Sequence, residues 1–411
     1  MSNKFDIIVV GGGMVGLTMV ASLAETKLKI LLLEKQDLHA VLTSDYLKNE
    51  TISDEQFDIR VSAISPGNRK FLSDLKAWQN IPKQRQANYE HMKVWDGDGS
   101  GKIEFSAAKI AQPDLGVIVE NKVIQAALLK RIESFGNVKC CFGAELEEIE
   151  NSVSSKNMDN LEYATIKTND GLEYKSKLVI GADGANSLVR EKLGIDLKQS
   201  EYDQIAFVAN VKTEKSHQNT AWQRFTPYGP VAFLPLANPN LCSVVWSLDY
   251  DKAEAIKNIS KEEFAKKLQY AFESKLGEVT AVSEFFGFPL IKRHSQRYLS
   301  NRVALVGDAA HTIHPLAGQG VNLGFQDVAC LSKQIIKLIS QQRDFGKVEN
   351  LRSYERERKT ENLLMQNTMS GFKKLFANQS LPITLFRNFA MSALDNLPAV
   401  KEIIIKKAMG I

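Results

Sequence analysis

The apolar positions of this chain follow two periods that alternate along its length. Residues 5–10 (FDIIVV) form a near-continuous apolar run suited to a strand covered on both faces, and residues 16–25 follow with helical spacing. Residues 28–33 are a second apolar run ending at Glu34, so the opening reads β-α-β, the start of a doubly wound parallel sheet. Residues 43–58 are polar and acidic without periodicity, which predicts a surface excursion. Residues 117–135 turn helical after their first few positions, with Val123, Ala127, Leu128 and Ile132 on one face. Between 138 and 178 short strands alternate with turns such as Asn169-Asp170-Gly171, and 178–181 is a further apolar run.

From Ile205 to Pro289 the pattern changes to longer strands, including 231–236 and 241–248, interrupted by a helix over 261–276. This block predicts an antiparallel sheet with a job of its own. Helices follow over 351–377, after Pro382 and after Pro398. Met365, Met369, Phe372 and Phe376 recur at helical spacing, which predicts core packing.

Composition narrows the function classes. At 411 residues, 44% hydrophobic and 24% charged, the chain is an ordinary globular sequence of two to three domains with a sizeable core. Its net charge of +4 equals that of residues 371–411 alone, where six Lys/Arg face only Asp395 and Glu402. The rest is balanced, which argues against nucleic acid as a partner. Cys140, Cys141, Cys242 and Cys330 have no metal-finger or dithiol spacing, so a reducing, cytoplasmic setting and no metal are expected. The longest uncharged stretch, 7–24, is broken by Gly11, Gly12, Gly13 and Gly16 and lacks a basic lead, so neither a membrane span nor an export signal is read there.

Three motifs carry chemistry. Gly11-Gly12-Gly13-Met14-Val15-Gly16 is G-x-G-x-x-G after a strand and before a helix. In that setting Gly11 allows the tight turn, Gly13 lets backbone approach a pyrophosphate, and Gly16 lets helix and strand pack. Glu34 ends the next strand, where it can take ribose hydroxyls; the motif does not distinguish NAD from FAD. Asp183, in the Gly181-Ala182-Asp183-Gly184 stretch, ends a strand where ligands bind in such sheets, although Asp-Gly is also a common turn. Arg60 is a lone charge entering an apolar segment.

The third motif, residues 307–324 (GDAAHTIHPLAGQGVNLG), holds Asp308, His311, His314 and Pro315. A metal would want a third ligand nearby, and none is present. A flat ligand uses more of these residues: Asp308 accepts from a sugar-like hydroxyl, Gly318-Gln319-Gly320 brings backbone against a ring, and Asn322 opens a helix with its amides toward that ring. His311 and His314 serve either as structural groups or in proton transfer. Phe225, Tyr228, Phe233 and Trp246 in the middle block serve either as core or as walls for an aromatic substrate.

Taken together, the order of these motifs resembles the aromatic flavoprotein monooxygenases of the para-hydroxybenzoate hydroxylase fold, nearly end to end. Residues 307–322 are the signature of the ubiquinone-biosynthesis hydroxylases, and stretches such as Arg60-Val61-Ser62-Ala63-Ile64 are most similar to the branch acting on 2-polyprenylphenol, the VisC-type C5 hydroxylase. The resemblance implies a mixed α/β fold: a discontinuous Rossmann-like FAD-binding domain (1–70, 110–195, 296–335), an antiparallel-sheet substrate domain (71–109, 196–295) and C-terminal helices (336–411). It implies FAD held by Gly11, Gly13, Gly16, Glu34, Arg60, Gln125, Asp183 and Asp308, with Gly318, Gln319, Gly320, Val321 and Asn322 beside the isoalloxazine. It implies NADPH or NADH as a transient reductant, oxygen activated at flavin C4a, and a phenol hydroxylated in a pocket shaped by Pro315, Gly318 and Gly320. A prenyl tail on that phenol implies peripheral contact with a membrane surface or a biosynthetic complex, and the basic C-terminal stretch with Phe386, Phe389 and residues 403–407 fits such contact.

Overall fold

The computed structural model describes residues 3–48, 52–151, 163–313, 320–378 and 380–410. The apolar runs at 7–10 and 30–33 become the parallel strands Lys4–Val10 and Ile30–Glu34, and Ile7, Ile8, Val9, Ile30, Leu31 and Leu32 are wholly buried. Burial on both faces is what a parallel sheet covered by helices requires. In space the sheet runs Leu299–Ser300, Val303–Leu305, Glu173–Gly181, Lys4–Val10, Ile30–Glu34, Val138–Phe142, with Leu146–Glu150 and Ala164–Thr168 added antiparallel. The helices Met14–Leu23, Asn121–Ile132 and Gly320–Ser340 pack on it, and their apolar faces complete the largest core cluster. Each such side chain contributes about 1.5–3 kcal/mol on burial.

A second sheet of nine strands is mostly antiparallel. Its centre is the long strand Leu197–Thr213, flanked by Leu241–Asp249 on one side and Phe286–Ser295 on the other. One face packs on the helix Lys261–Ala271 through Phe207, Phe233, Trp246, Phe264 and Phe272. A third sheet of three strands, Val61–Ile64, Gly116–Glu120 and Ala87–Tyr89, joins the two layers.

The boundaries differ from those expected in three places. Residues 72–81 pack into the first layer, with Leu72, Ala77, Trp78 and Ile81 in its core; Ala87–Tyr89 belong to the three-stranded sheet, and the chain reaches the second sheet only at His91, paired with Thr220. The excursion at 43–58 carries short helical turns at Asp45–Leu47 and Asp54–Gln56. It is tied down by Asp54 to Lys212 at 2.9 Å and by the Asn210 amide donating to the Phe57 carbonyl at 3.0 Å. The C-terminal helices are not a separate region. In Val348–Ala377, Leu351 and Tyr354 join the first core, whereas Phe376 stacks on Phe225 at 3.9 Å. Of the Met365–Phe376 stripe only Phe376 is buried, and Phe372 is exposed.

Candidate active site

Three parallel strands, Lys4–Val10, Glu173–Gly181 and Val303–Leu305, lie side by side with Val10 opposite Gly181 and Gly181 opposite Leu305. Their carboxyl ends therefore deliver the three sequence motifs to one edge of the sheet, where doubly wound folds bind ligands. The ends are knitted together: the Ala182 amide donates to the Val10 carbonyl at 2.8 Å and the Val306 amide to the Gly181 carbonyl at 2.9 Å. Arg190, buried, donates to the carbonyls of Ala309 (2.8 Å) and Ala185 (2.9 Å), bridging the second and third motifs.

Above this edge opens a cleft of about 570 Å³, walled on the far side by the second sheet. Its lower lining includes Gly13, Met14, Gly184, Gly307, Asp308, Gly320 and Val321, and its upper lining Ala206, Val208, Val245, Phe288, Leu290 and Arg293. That volume is within the range of small-molecule and cofactor sites.

The fingerprint loop is shaped for a dinucleotide. Gly11 adopts φ +108°, and a Cβ there would lie 2.4 Å from the Ala182 carbonyl oxygen; at Gly16 it would lie 1.9 Å from that of Gly11. At Gly13 and Gly320 a Cβ would meet nothing within 4 Å, so both open onto free space. Glu34 accepts from the amides of Gly12 (2.5 Å) and Gln36 (2.8 Å). A carboxylate has about four acceptor positions, so capacity remains for ribose hydroxyls. Gln125 donates to the Gly12 carbonyl at 2.8 Å, which orients the loop. The residues present thus fit the adenine-nucleotide half of FAD.

Charge is arranged around the cleft mouth. Arg60 is exposed, lines the cleft and stands 5.9 Å from the centroid of the Phe288 ring. Asp308 opens onto the cleft, but protein surrounds it on its other sides. Desolvation pushes its carboxyl up, opposed by His311, Arg60 and Arg293. Asp183 turns away from the cleft: one oxygen accepts from the Val189 amide at 3.1 Å, the other is buried without a partner, and burial raises its pKa.

His311 does not face the cleft. It is buried, 2.6 Å from Asp327, which also accepts from Arg358 (2.8 Å) and Asn362 (3.1 Å). Desolvation alone would raise the Asp327 pKa, but His311 and Arg358 hold it below the ordinary value. Asn322 likewise points inward, donating to the Ala63 carbonyl at 2.7 Å and accepting from Ser65 and Asn68. It pins the Gly320–Ser340 helix to the strand Val61–Ile64 rather than touching the cleft, while Val321 lines it. His314, Pro315, Gly318 and Gln319 lie outside the described residues.

The four aromatic residues proposed for the substrate wall are elsewhere. Phe233 and Trp246 project from the opposite face of the second sheet, Phe225 stacks on Phe376, and Tyr228 is exposed beside Lys252. Side chains alternate across a strand. Ser243 and Val245 therefore face the cleft, and Val244 and Trp246 face the helix. The sequence reading also missed Arg293, Phe288 and Asn121; the only signal was Arg293, a cation in an otherwise half-apolar strand. Among the described residues no cluster of three metal-binding side chains occurs.

The comparisons agree with this geometry. Residues 4–367 match the model of the FAD binding domain family. The chain is 35% identical to the mitochondrial ubiquinone biosynthesis monooxygenase of Danio rerio, over 98% of this chain and 89% of that one. It is 34% identical to the 3-demethoxyubiquinol 3-hydroxylase of Escherichia coli K12, over the whole of both chains. It is also 31% identical to a ubiquinone hydroxylase of Rhodospirillum rubrum, over 98% of this chain and 89% of that one. Among solved structures, p-nitrophenol 4-monooxygenase from Pseudomonas putida DLL-E4 superposes with a TM-score of 0.76 at 19% identity, covering 100% of this chain and 99% of that one. The match at that identity speaks to fold alone. With a dinucleotide cradle, a cleft above three strand ends and relatives of this kind along its whole length, the chain belongs to the FAD-dependent monooxygenases of the ubiquinone-biosynthesis hydroxylase family.

Proposed function

We propose that this enzyme hydroxylates the ring of a polyprenylated phenol on the route to ubiquinone, with NADPH or NADH as reductant, and that the ring position is C5 of 2-polyprenylphenol. The observation that carries the reading is the two-sided cleft: glycine backbone and Asp308 below, and an apolar wall of Ala206, Val208, Val245, Phe288 and Leu290 above. FAD, when bound, supplies two-electron reduction and the activation of dioxygen.

The chain's own residues supply the rest. Gly13 and Glu34 would hold the adenine-nucleotide half, and Asp308 would take the hydroxyls of the chain joining it to the ring. The start of the Gly320–Ser340 helix borders the cleft, and its amide dipoles would stabilise the negative charge of the reduced ring. Arg60 and Arg293 add positive potential at the mouth, which favours phenolate over phenol. The apolar wall excludes water from the ring to be hydroxylated. His311 acts through position: its bond to Asp327 fixes the turn at 307–310, since Asp327 also accepts from the Gly307 amide at 3.0 Å. The exposed apolar residues of the last helices support contact with a membrane surface that holds the prenyl tail.

The test is NAD(P)H oxidation by the yellow holoenzyme with and without 2-polyprenylphenol or demethoxyubiquinol, with products identified by mass. Stimulation by the first, with a product heavier by one oxygen, is the expected result. Stimulation by the second alone would move the ring position. A flavoprotein indifferent to both, or one reducing prenyl double bonds without oxygen uptake, would refute the hydroxylase reading.

A further inference from the structure

Behind the strand whose Arg293 faces the cleft lies a separate groove of about 530 Å³, lined by Lys198, Ser200, Lys292, His294, Lys359 and Gln366 among others. Antiparallel pairing sets Lys198 opposite His294 and Ser200 opposite Lys292, so these four share one sheet face. The helix Val348–Ala377 contributes Lys359 and Gln366 from above.

The lysines meet only neutral partners: Lys292 the Asn367 side chain at 3.3 Å, and Lys359 the Gln296 carbonyl. Among the described residues no carboxylate pairs with any of the three. Burial and the nearby Lys374 hold the Lys292 ammonium below its ordinary pKa, so the cationic cluster is uncompensated. Two buried side chains back the groove: His294, 5% exposed, and Gln366, wholly buried, lie against each other, and apart from Gln366 no polar group among the described residues meets either ring nitrogen of His294. Burial first, then His311, Lys359 and Lys292, depress the His294 pKa to about 4. It is therefore neutral near pH 7, with one ring N–H to donate and one nitrogen to accept.

Three separate ammonium point charges suit a phosphomonoester, with close to two negative charges on three terminal oxygens, better than a carboxylate, with one charge on two. We infer that the groove is a binding site for a phosphomonoester. Lys198, Lys292 and Lys359 take the phosphate, and His294, backed by Gln366, donates to it. The site is distinct from the flavin cleft and does not depend on the substrate assigned there.

The test is calorimetric titration of the full-length holoenzyme with inorganic phosphate and with 2′,5′-ADP, and flotation with phosphatidate vesicles. Saturable one-to-one binding is expected that weakens at least about tenfold in a Lys292→Gln/Lys359→Gln variant of unchanged melting temperature. His294→Asn should weaken it without changing charge. If 2′,5′-ADP displaces phosphate, and the lysine variant raises KM for NADPH but not for NADH, the phosphate is the reductant's. If only phosphatidate competes, it is a lipid headgroup. No saturable binding of any of the three, or binding indifferent to the lysine variant, overturns the assignment.

Discussion

Two glycines three residues apart do opposite things, and the difference is testable. At Gly16 an added Cβ collides with the Gly11 carbonyl at 1.9 Å, whereas at Gly13 it enters open cleft. Gly16→Ala should therefore destabilise the apoprotein by at least about 1–3 kcal/mol, the range of a core overpacking. Gly13→Val should cost the apoprotein only about 1 kcal/mol, because Val is a poorer cap than Gly for the helix that starts there, yet lose most bound flavin. Melting of the apoprotein and flavin content after gel filtration separate the two. The motif assigns Gly13 to ligand approach and Gly16 to helix–strand packing, and the space around each Cβ gives that division a measurable size. His311 makes the same point. Its spacing left structure and proton transfer open, because its partner Asp327, and the Arg358 and Asn362 side chains that hold Asp327, arrive from two helices later in the chain. Asp327→Asn strips a buried histidine and a buried arginine of their anion and should cost about 3–5 kcal/mol. The Asp327 pKa is depressed in the fold from its ordinary 3.8, so its contribution is complete above that value and disappears as pH falls through the folded value. Acid unfolding of Asp327→Asn, followed by circular dichroism, should thus run closer to that of the wild type below about pH 4 than above it.

At the scale of elements, the runs at 5–10, 28–33 and 241–248 announced their strands because burial on both faces leaves a continuous apolar signature. That same continuity hides which face a residue takes. In Leu241–Asp249 every position but the last is apolar or small, so nothing in the composition marks Val245 as cleft and Trp246 as core. The aromatic residues drew attention as ring-stacking candidates, and packing against the helix Lys261–Ala271 claimed them instead. Substitution at the neighbouring pair distinguishes the faces. Trp246→Ala should cost about 3–5 kcal/mol through the cavity it leaves, with KM for the phenol unchanged in what folds. Val245→Trp projects into open cleft, so stability should hold while KM for the phenol rises at least about tenfold, a loss near 1.4 kcal/mol of binding. Steady-state kinetics beside thermal melting decides it; a Trp246→Ala enzyme with altered KM and normal stability would reverse the assignment of faces.

For the whole molecule, the pattern of charge proved less free than it reads. The six cations of residues 371–411 suggested an electrostatic patch, but Arg387 is buried against Asp96 at 2.7 Å, Lys401 is buried against Asp395 at 2.7 Å, and Lys406 pairs with Glu402 at 2.6 Å. What the last helices expose is apolar: Leu385, Phe386, Phe389 and Ile403 are each more than three-fifths accessible. Among the described residues no helix is long and apolar enough to cross a membrane. The fold instead anchors Leu381–Asp395 through Arg387 and through the Gly101 amide donating to Asn388 at 2.5 Å, leaving the opposite side of the helix outward. Attachment through such a face is driven by the burial of apolar area and depends little on lipid charge. Phe386→Ser/Phe389→Ser should therefore abolish flotation with neutral phosphatidylcholine vesicles. Turnover of a phenol with a short, water-soluble tail should persist, because neither residue lines the cleft. Wild-type binding that appears only with anionic vesicles and vanishes in salt would show that the remaining lysines, not the phenylalanines, make the contact.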